Sequence, residues 1–207
     1  RVAMIGVRVK PSGWSQQEYS IDDFMLIDAN GLGYALEVIS PLGNPSPTVG
    51  THFYNDGTSL TCLVTNSPVS AGVGTQYMCT AAEVVGNDFT QNASTNVTLT
   101  LTNNATLTWL WTTNYWLNTE TNGPGTVSVA DDWFNVGSSV DITASAAAGS
   151  QFESWSGDTN GCDISGNTMT VVMDRARVIT AHFSAIAPPA ELIVDNADAT
   201  GVTIVGT

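Results

Sequence analysis

The chain holds 207 residues, 43% of them hydrophobic, and sets five Lys and Arg against 19 Asp and Glu for a formal charge of −14. Such a balance repels phosphate backbones and anionic lipid, so no nucleic-acid partner is expected. No apolar run reaches the roughly 20 residues of a membrane helix, so no membrane insertion is expected either.

Strand signals run from end to end: short stretches rich in β-branched residues alternate apolar with polar, and Asn, Gly, Asp and Pro clusters separate them. No segment holds a 3.6-residue apolar period for ten residues, so the chain reads as all-β. Residues 2–9 and 20–27 form the first such pair, and 1–30 is expected to be the terminal hairpin of a preceding β domain. Residues 30–33 mark a boundary, and a first unit is expected over 34–111. Within it Cys62 and Cys79 sit in consecutive strand-like runs with Pro68 and Gly72 between them. Antiparallel neighbours would bring the sulfurs together, so a Cys62–Cys79 disulfide is expected, worth about 3 kcal/mol, and with it an oxidising compartment. Thr112, Thr113 and Asn114 read as a separator, followed by a second unit over 114–185 with strand runs at 126–129, 140–144, 169–173 and 178–183. Residues 186–190, with Pro188 and Pro189, read as a stiffened linker, and 191–207 as the start of a following β domain. Neither end is large enough to fold alone, so the chain is expected to be part of a longer protein.

The two central units follow one plan. Asn55-Asp56-Gly57-Thr58-Ser59-Leu60-Thr61 returns as Asn135-Val136-Gly137-Ser138-Ser139-Val140-Asp141, and Thr106-Leu107-Thr108-Trp109-Leu110-Trp111 returns as Val178-Ile179-Thr180-Ala181-His182-Phe183. The expected architecture is two tandem small antiparallel β modules, an arrangement that supplies reach or surface and not chemistry.

The second unit carries an ordered series of motifs: Gly125-Thr126-Val127, then Gly137-Ser138-Ser139-Val140-Asp141-Ile142-Thr143-Ala144, then Phe152-Glu153-Ser154-Trp155-Ser156-Gly157, and finally Ile179-Thr180-Ala181-His182-Phe183. This series resembles the divergent internalin B-repeat, or bacterial repeat, family. The resemblance implies an all-β, non-catalytic, extracellular module of a secreted or surface-attached bacterial protein, with Phe152, Trp155 and Phe183 closing its core. The first unit is similar but departs where the family has its tryptophan, having Ala81-Ala82-Glu83-Val84-Val85-Gly86, and the cysteine pair is expected to replace the packing that Trp155 provides. Two shorter resemblances flank these units. Residues 19–27 are similar to the final strands of concanavalin-like or galactose-binding-like jelly rolls, and residues 191–199 to the opening of golvesin/Xly carbohydrate-binding-like domains.

Candidate sites are few. Trp109 and Trp111 share one strand face, with Tyr115 next along and Trp133 beyond, and such rings either stack sugars or pack a core. Glycan or cell-surface polymer is therefore the expected partner class beside the neighbouring domains, and a carbohydrate-binding accessory module is the rival to a spacer or adhesion module. Asp158 and Asp163, near Asn160 and Asn167 in a Gly-rich loop, are candidate calcium ligands, although the spacing is not that of an EF-hand. No other cofactor is expected. The adjacent acids Asp22–Asp23 and Asp131–Asp132 would face opposite sides of a strand, and neither His lies in a recognisable catalytic motif, so no catalysis is expected.

Overall fold

The computed structural model describes residues 33–188. Among the described residues there is no helix, and the fold is all-β. Nine strands lead through the first unit and into the second: β1 (Gly33–Ile39), β2 (Pro45–Ser46), β3 (Gly50–Asn55), β4 (Thr58–Val64), β5 (Val69–Ser70), β6 (Thr75–Val85), β7 (Phe89–Ala93), β8 (Asn96–Leu101) and β9 (Ala105–Asn122). Seven more complete it: β10 (Gly125–Val127), β11 (Asp132–Asn135), β12 (Ser139–Ala146), β13 (Ser150–Gly157), β14 (Asp163–Ser165), β15 (Thr168–Val172) and β16 (Arg177–Ala185).

They form three sheets. An eight-stranded sheet runs β13-β16-β9-β1-β3, with β6 and β11 also paired to β9 and β5 paired to β6. Two four-stranded sheets, β2-β4-β8-β7 and β10-β12-β15-β14, lie against it. Strand alternation divides the faces. Ala105, Leu107 and Trp109 of β9 enter one apolar cluster with Leu36, Cys62, Val97 and Leu101. Further along the same face Leu117 enters a second, with Ile142, Met169, Val171 and Ile179. Each unit thus closes its own sandwich against one shared sheet, as the two-residue period of a strand dictates.

The same strand order appears twice. The first strand of each unit pairs in parallel with its last: β1 with the N-terminal half of β9, and the C-terminal half of β9 with β16. The next long strand returns antiparallel to the first, β3 on β1 and β11 on β9. The penultimate long strand of the large sheet packs on the last, β6 on β9 and β13 on β16, each with a bulge at the same place, after Cys79 and after Phe152. The hairpins agree atom by atom. Thr58 Oγ1 donates to the Asn55 carbonyl at 2.7 Å, as Ser138 Oγ does to Asn135, and Gly57 N–H reaches Leu101 O at 2.8 Å as Gly137 N–H reaches Met173 O at 2.9 Å. Gly57 and Gly137 both take φ near +75°, a conformation open to glycine at no steric cost.

Thr112, Thr113 and Asn114 do not separate the units. They lie inside β9, an unbroken 18-residue strand that ends one unit and begins the other. Their Asn and Thr content reads as a turn, yet β6 pairs them from one side and β11 receives Asn114 from the other. Pairing on both edges overrides the local propensity.

The expected Cys62–Cys79 disulfide is likewise corrected: both are free and buried. They are not on neighbouring strands, because β4 pairs with β2 and β8 while β6 belongs to the large sheet. Cys79 Sγ turns instead to the Ser94 carbonyl at 3.3 Å. The oxidising compartment inferred from that bond loses its structural basis. The expectations for residues 1–30 and 191–207, including the two flanking resemblances and the Asp22–Asp23 pair, lie outside the described residues.

Candidate functional site at the junction of the units

The junction is built by β9 and what grips it. On one edge β6 pairs from Thr106 to Tyr115 and β16 takes over at Leu117; on the other, β1 holds residues 105–108 and β11 holds 114–117. Gly74, just before β6, accepts the Trp116 N–H at 3.0 Å, and a Cβ there would overlap that of Ala176. Residues from both units therefore meet side chain to backbone at the crossing.

The outward face of the large sheet is the more distinctive surface. Trp116 and Trp133, cross-strand partners, stack edge to face with centroids 5.3 Å apart. Beneath them Gln76 and Asn114, also partners, are buried, and Asn114 Oδ1 meets no hydrogen-bond donor. Phe53, Ile39, Leu110, Val85 and Val178 lie exposed on this same face, by the pairings that place Ala35 opposite Phe53 and Asn118 opposite Val178. Glu37, Thr106, Thr108 and Glu83 interleave with them, so the face is mixed and not one apolar patch.

The sequence-predicted aromatic platform is not on that face. Trp109 is 1% exposed and Trp111 packs on the same core, its Nε1 donating to Ser40 Oγ at 3.1 Å. Both side chains point inward, so the pair cannot stack a sugar. A Cβ on Gly43 would come within 2.8 Å of the Trp111 ring, which fixes that close approach. Tyr115 packs against the second core, and only Trp133 of the four reaches the outer face.

Asp158 and Asp163 do not converge on a common point. Asp158 Oδ2 accepts the Val178 N–H at 2.9 Å, and Asp163 is an exposed residue of β14. The loop between them is filled by Arg177, 2% exposed, whose Nη1 donates to the carbonyls of Asp158 at 2.7 Å and Asn160 at 2.9 Å. Its Nη2 reaches Asp174 Oδ1 at 2.8 Å. A guanidinium thus caps the main-chain carbonyls of this loop. Among the described residues no three His, Cys, Asp or Glu side chains are placed to hold a metal. The sequence reading missed Arg177; an arginine amid a strand otherwise apolar on that face was the available signal.

The acids and hydroxyls are equally committed. Asp131 accepts from Asn118 Nδ2 and from the Thr119 N–H at 2.7 Å, and Asp132 accepts its neighbour's amide, so the pair serves the backbone. A Ser156–His182 contact of 2.6 Å, brought together by the β13–β16 register, escaped the sequence because 26 residues separate the two. It lies on an outward sheet face, and among the described residues no carboxylate bonds the second ring nitrogen as the orienting third member of a triad would. An open groove of about 570 Å³ runs over the β4–β8–β7 sheet, lined by hydroxyls of Ser59, Thr61, Thr98 and Thr100 beside Asp88 and Phe89. It holds a single carboxylate, one short of the pair that glycoside hydrolysis needs.

Against this geometry the family comparison falls into place. Residues 115–187 match the model of the Divergent InlB B-repeat domain. The matched stretch starts within β9 and ends just beyond β16, so it comprises the second unit together with its half of the shared strand. It also contains the four motifs that carry the resemblance, so this part of the chain is similar to a bacterial repeat module. No curated protein and no solved structure gives a match.

Proposed function

We propose that the chain is a rigid spacer within an extracellular, secreted or surface-attached bacterial protein, made of two diverged copies of one repeat and serving to present neighbouring domains at a fixed distance and angle. The observation that carries this reading is the single strand β9, which ends the first unit and begins the second without a linker. Tandem units joined by a loop reorient freely, whereas units sharing a doubly paired strand cannot turn without breaking ladder bonds. The matching strand orders support the first unit as a copy, and the free outward face offers adhesion a surface. Carbohydrate binding through Trp109 and Trp111 is not part of this reading, because both rings lie within the core.

Spin labels at Asn103 and Gly166, exposed turn positions in the two units, test it. A single narrow distance distribution is expected. Inserting four Gly/Ser residues between Thr112 and Thr113 should broaden it severalfold, and a broad distribution in the unaltered chain would refute the rigid joint.

A further inference from the structure

In most sandwiches the chain enters and leaves by strands that need not touch. Here, in both units, the entering and leaving strands are direct parallel neighbours. β1 and β9 are registered from Leu36–Ala105 to Ile39–Thr108, and β9 and β16 from Leu117–Arg177 to Asn122–His182. Tension between the chain ends draws β1 toward its N-terminus and β9 toward its C-terminus, sliding the parallel pair along its own axis. Every hydrogen bond of the ladder is then strained together, and none can open before the others. β9 passes the same load on, since it is pulled back by the first ladder and held against the forward pull on β16 by the second.

From this we infer that the chain is a load-bearing element: two shear clamps in series, coupled by the backbone of β9, that resist tension between whatever is attached at either end. This inference rests on the spacer reading and adds to it that the spacer works under force. The shared strand acquires a mechanical reason, because a loop between the units would be the first part to extend. The clamps are unequal. The first registers four residue pairs and the second six, so the first unit is the weaker link.

Single-molecule force spectroscopy on the full chain, held at its two ends, is the test. Two unfolding steps are expected, releasing about 230–250 Å for the first unit and about 200–215 Å for the second, from the register offsets Leu36–Ala105 and Leu117–Arg177 at about 3.3–3.6 Å per residue. The longer step should come first. The reference measurement holds the same chain at residue 148 and at the C-terminus, which opens β16 from β13 starting at Ser150–Ala185, one bond at a time. Rupture from the chain ends should need severalfold more force than this peeling, and equal forces in the two geometries would overturn the inference. Thr119 sends its N–H to Asp131, so strand alternation turns that of Glu120 toward β16, and Glu120→Pro should lower the force of the shorter step alone. An unchanged shorter step would remove the β9–β16 ladder as the source of resistance. If that variant fails to fold, the comparison of pulling geometries on the native chain still decides. Low force with narrow label distances would leave a spacer that bears no load, so the two readings fail separately.

Discussion

The two units solve one packing problem with the same residue on opposite strands. In the second, Trp155 of β13 faces Ala181 of β16; in the first, Ala82 of β6 faces Trp109 of β9. The bulge sits at the same place in both pairs, so these are equivalent positions with large and small exchanged. The next pair along is Phe152 with Phe183 in one unit and Cys79 with Trp111 in the other. What is preserved is the volume delivered to one point between the sheets, and the backbone does not register which strand delivers it. The cysteines were expected to compensate for the missing tryptophan, but Trp109 does.

The largest expected effect tests that exchange. Trp109→Ala should destabilise the first unit by about 3–5 kcal/mol, the range for truncating a buried aromatic, and leave the second unit's hydrogen-exchange protection largely intact. Adding Ala82→Trp to it should recover a substantial part of the loss, since the new indole projects into the space vacated across the strand pair. No recovery, or recovery equally well from Ala81→Trp on the outward face, would break the comparison. Urea unfolding with exchange resolved by residue measures both.

A second contrast concerns what holds the connection after the penultimate strand. Aligning Leu107 with Ile179 places Ala105 opposite Arg177. In the first unit the short β6–β7 turn is tied by the side chain of Asn87, whose Oδ1 accepts the Thr102 N–H at 2.8 Å. In the second unit the longer loop before β14 needs a filler from outside, and Arg177 provides it. Arg177→Ala should cost about 3 kcal/mol, confined to the second unit, because it removes a buried side chain that bonds two part-buried loop carbonyls and a carboxylate. Arg177→Lys should rescue little, since one ammonium cannot span the carbonyls of Asp158 and Asn160 and the carboxylate of Asp174 at once. Slight burial pushes the Asp174 carboxyl up, but the hydrogen bond and charge of Arg177 prevail and hold it below the ordinary carboxylate range. A depressed folded-state pKa contributes stability above the unfolded value and loses it as pH falls through the folded one. Arg175 adds its charge to the same carboxylate, so the wild type should lose stability below about pH 4 by a component that Arg177→Ala diminishes.

How much of this was legible in the residues can be judged from the same pairs. Period-two alternation at 97–101 and 140–144 located strands correctly, and the two Asn-x-Gly-(Thr/Ser) hairpins share one turn geometry, because turn geometry and side-chain alternation are local properties. The motif placed Trp155 in the second unit's core, and the ring packs half-buried against its two clusters. For Trp109 the sequence left sugar stacking and core packing open, since a strand's two faces look alike in sequence and only the partner sheet decides which is buried. β9 was misread at Thr112–Asn114 for a related reason: polar residues end an isolated strand but not one paired on both edges. The cysteines, which adjacency in sequence had placed on neighbouring strands, lie on different sheets and are unbonded within one core cluster.

The thiols yield a smaller, pH-dependent contrast. Cys62 of the first unit stands where the second has Ile142, and burial pushes its pKa up to about 11; burial raises that of Cys79 too. A folded pKa above the unfolded value gives stability that is whole below the unfolded pKa and declines as pH climbs toward the folded one. The first unit should weaken above about pH 9 more than the second, where burial raises one thiol, Cys162, and Cys62→Val should flatten the first unit's decline. Thiol titration in denaturant without reductant should count three free groups; a count of one would restore the disulfide.

The smallest difference isolates the indole N–H. Trp155 Nε1 donates to the Gly166 carbonyl at 3.2 Å, whereas Trp109 Nε1 is buried with no acceptor. Replacing Trp155 by Phe forfeits a hydrogen bond along with some contact area, and should cost about 1–2 kcal/mol. Replacing Trp109 by Phe forfeits contact area but also removes a stranded donor, whose burial carries a penalty of about 1–3 kcal/mol. These oppose each other, so Trp109→Phe should fall within about 1 kcal/mol of wild type despite the deeper burial of the residue it replaces. Urea midpoints for the two variants decide it: a larger loss at Trp109 than at Trp155 would mean that the first unit's indole has an acceptor after all, and that the exchanged tryptophans are equivalent in bonding as well as in volume.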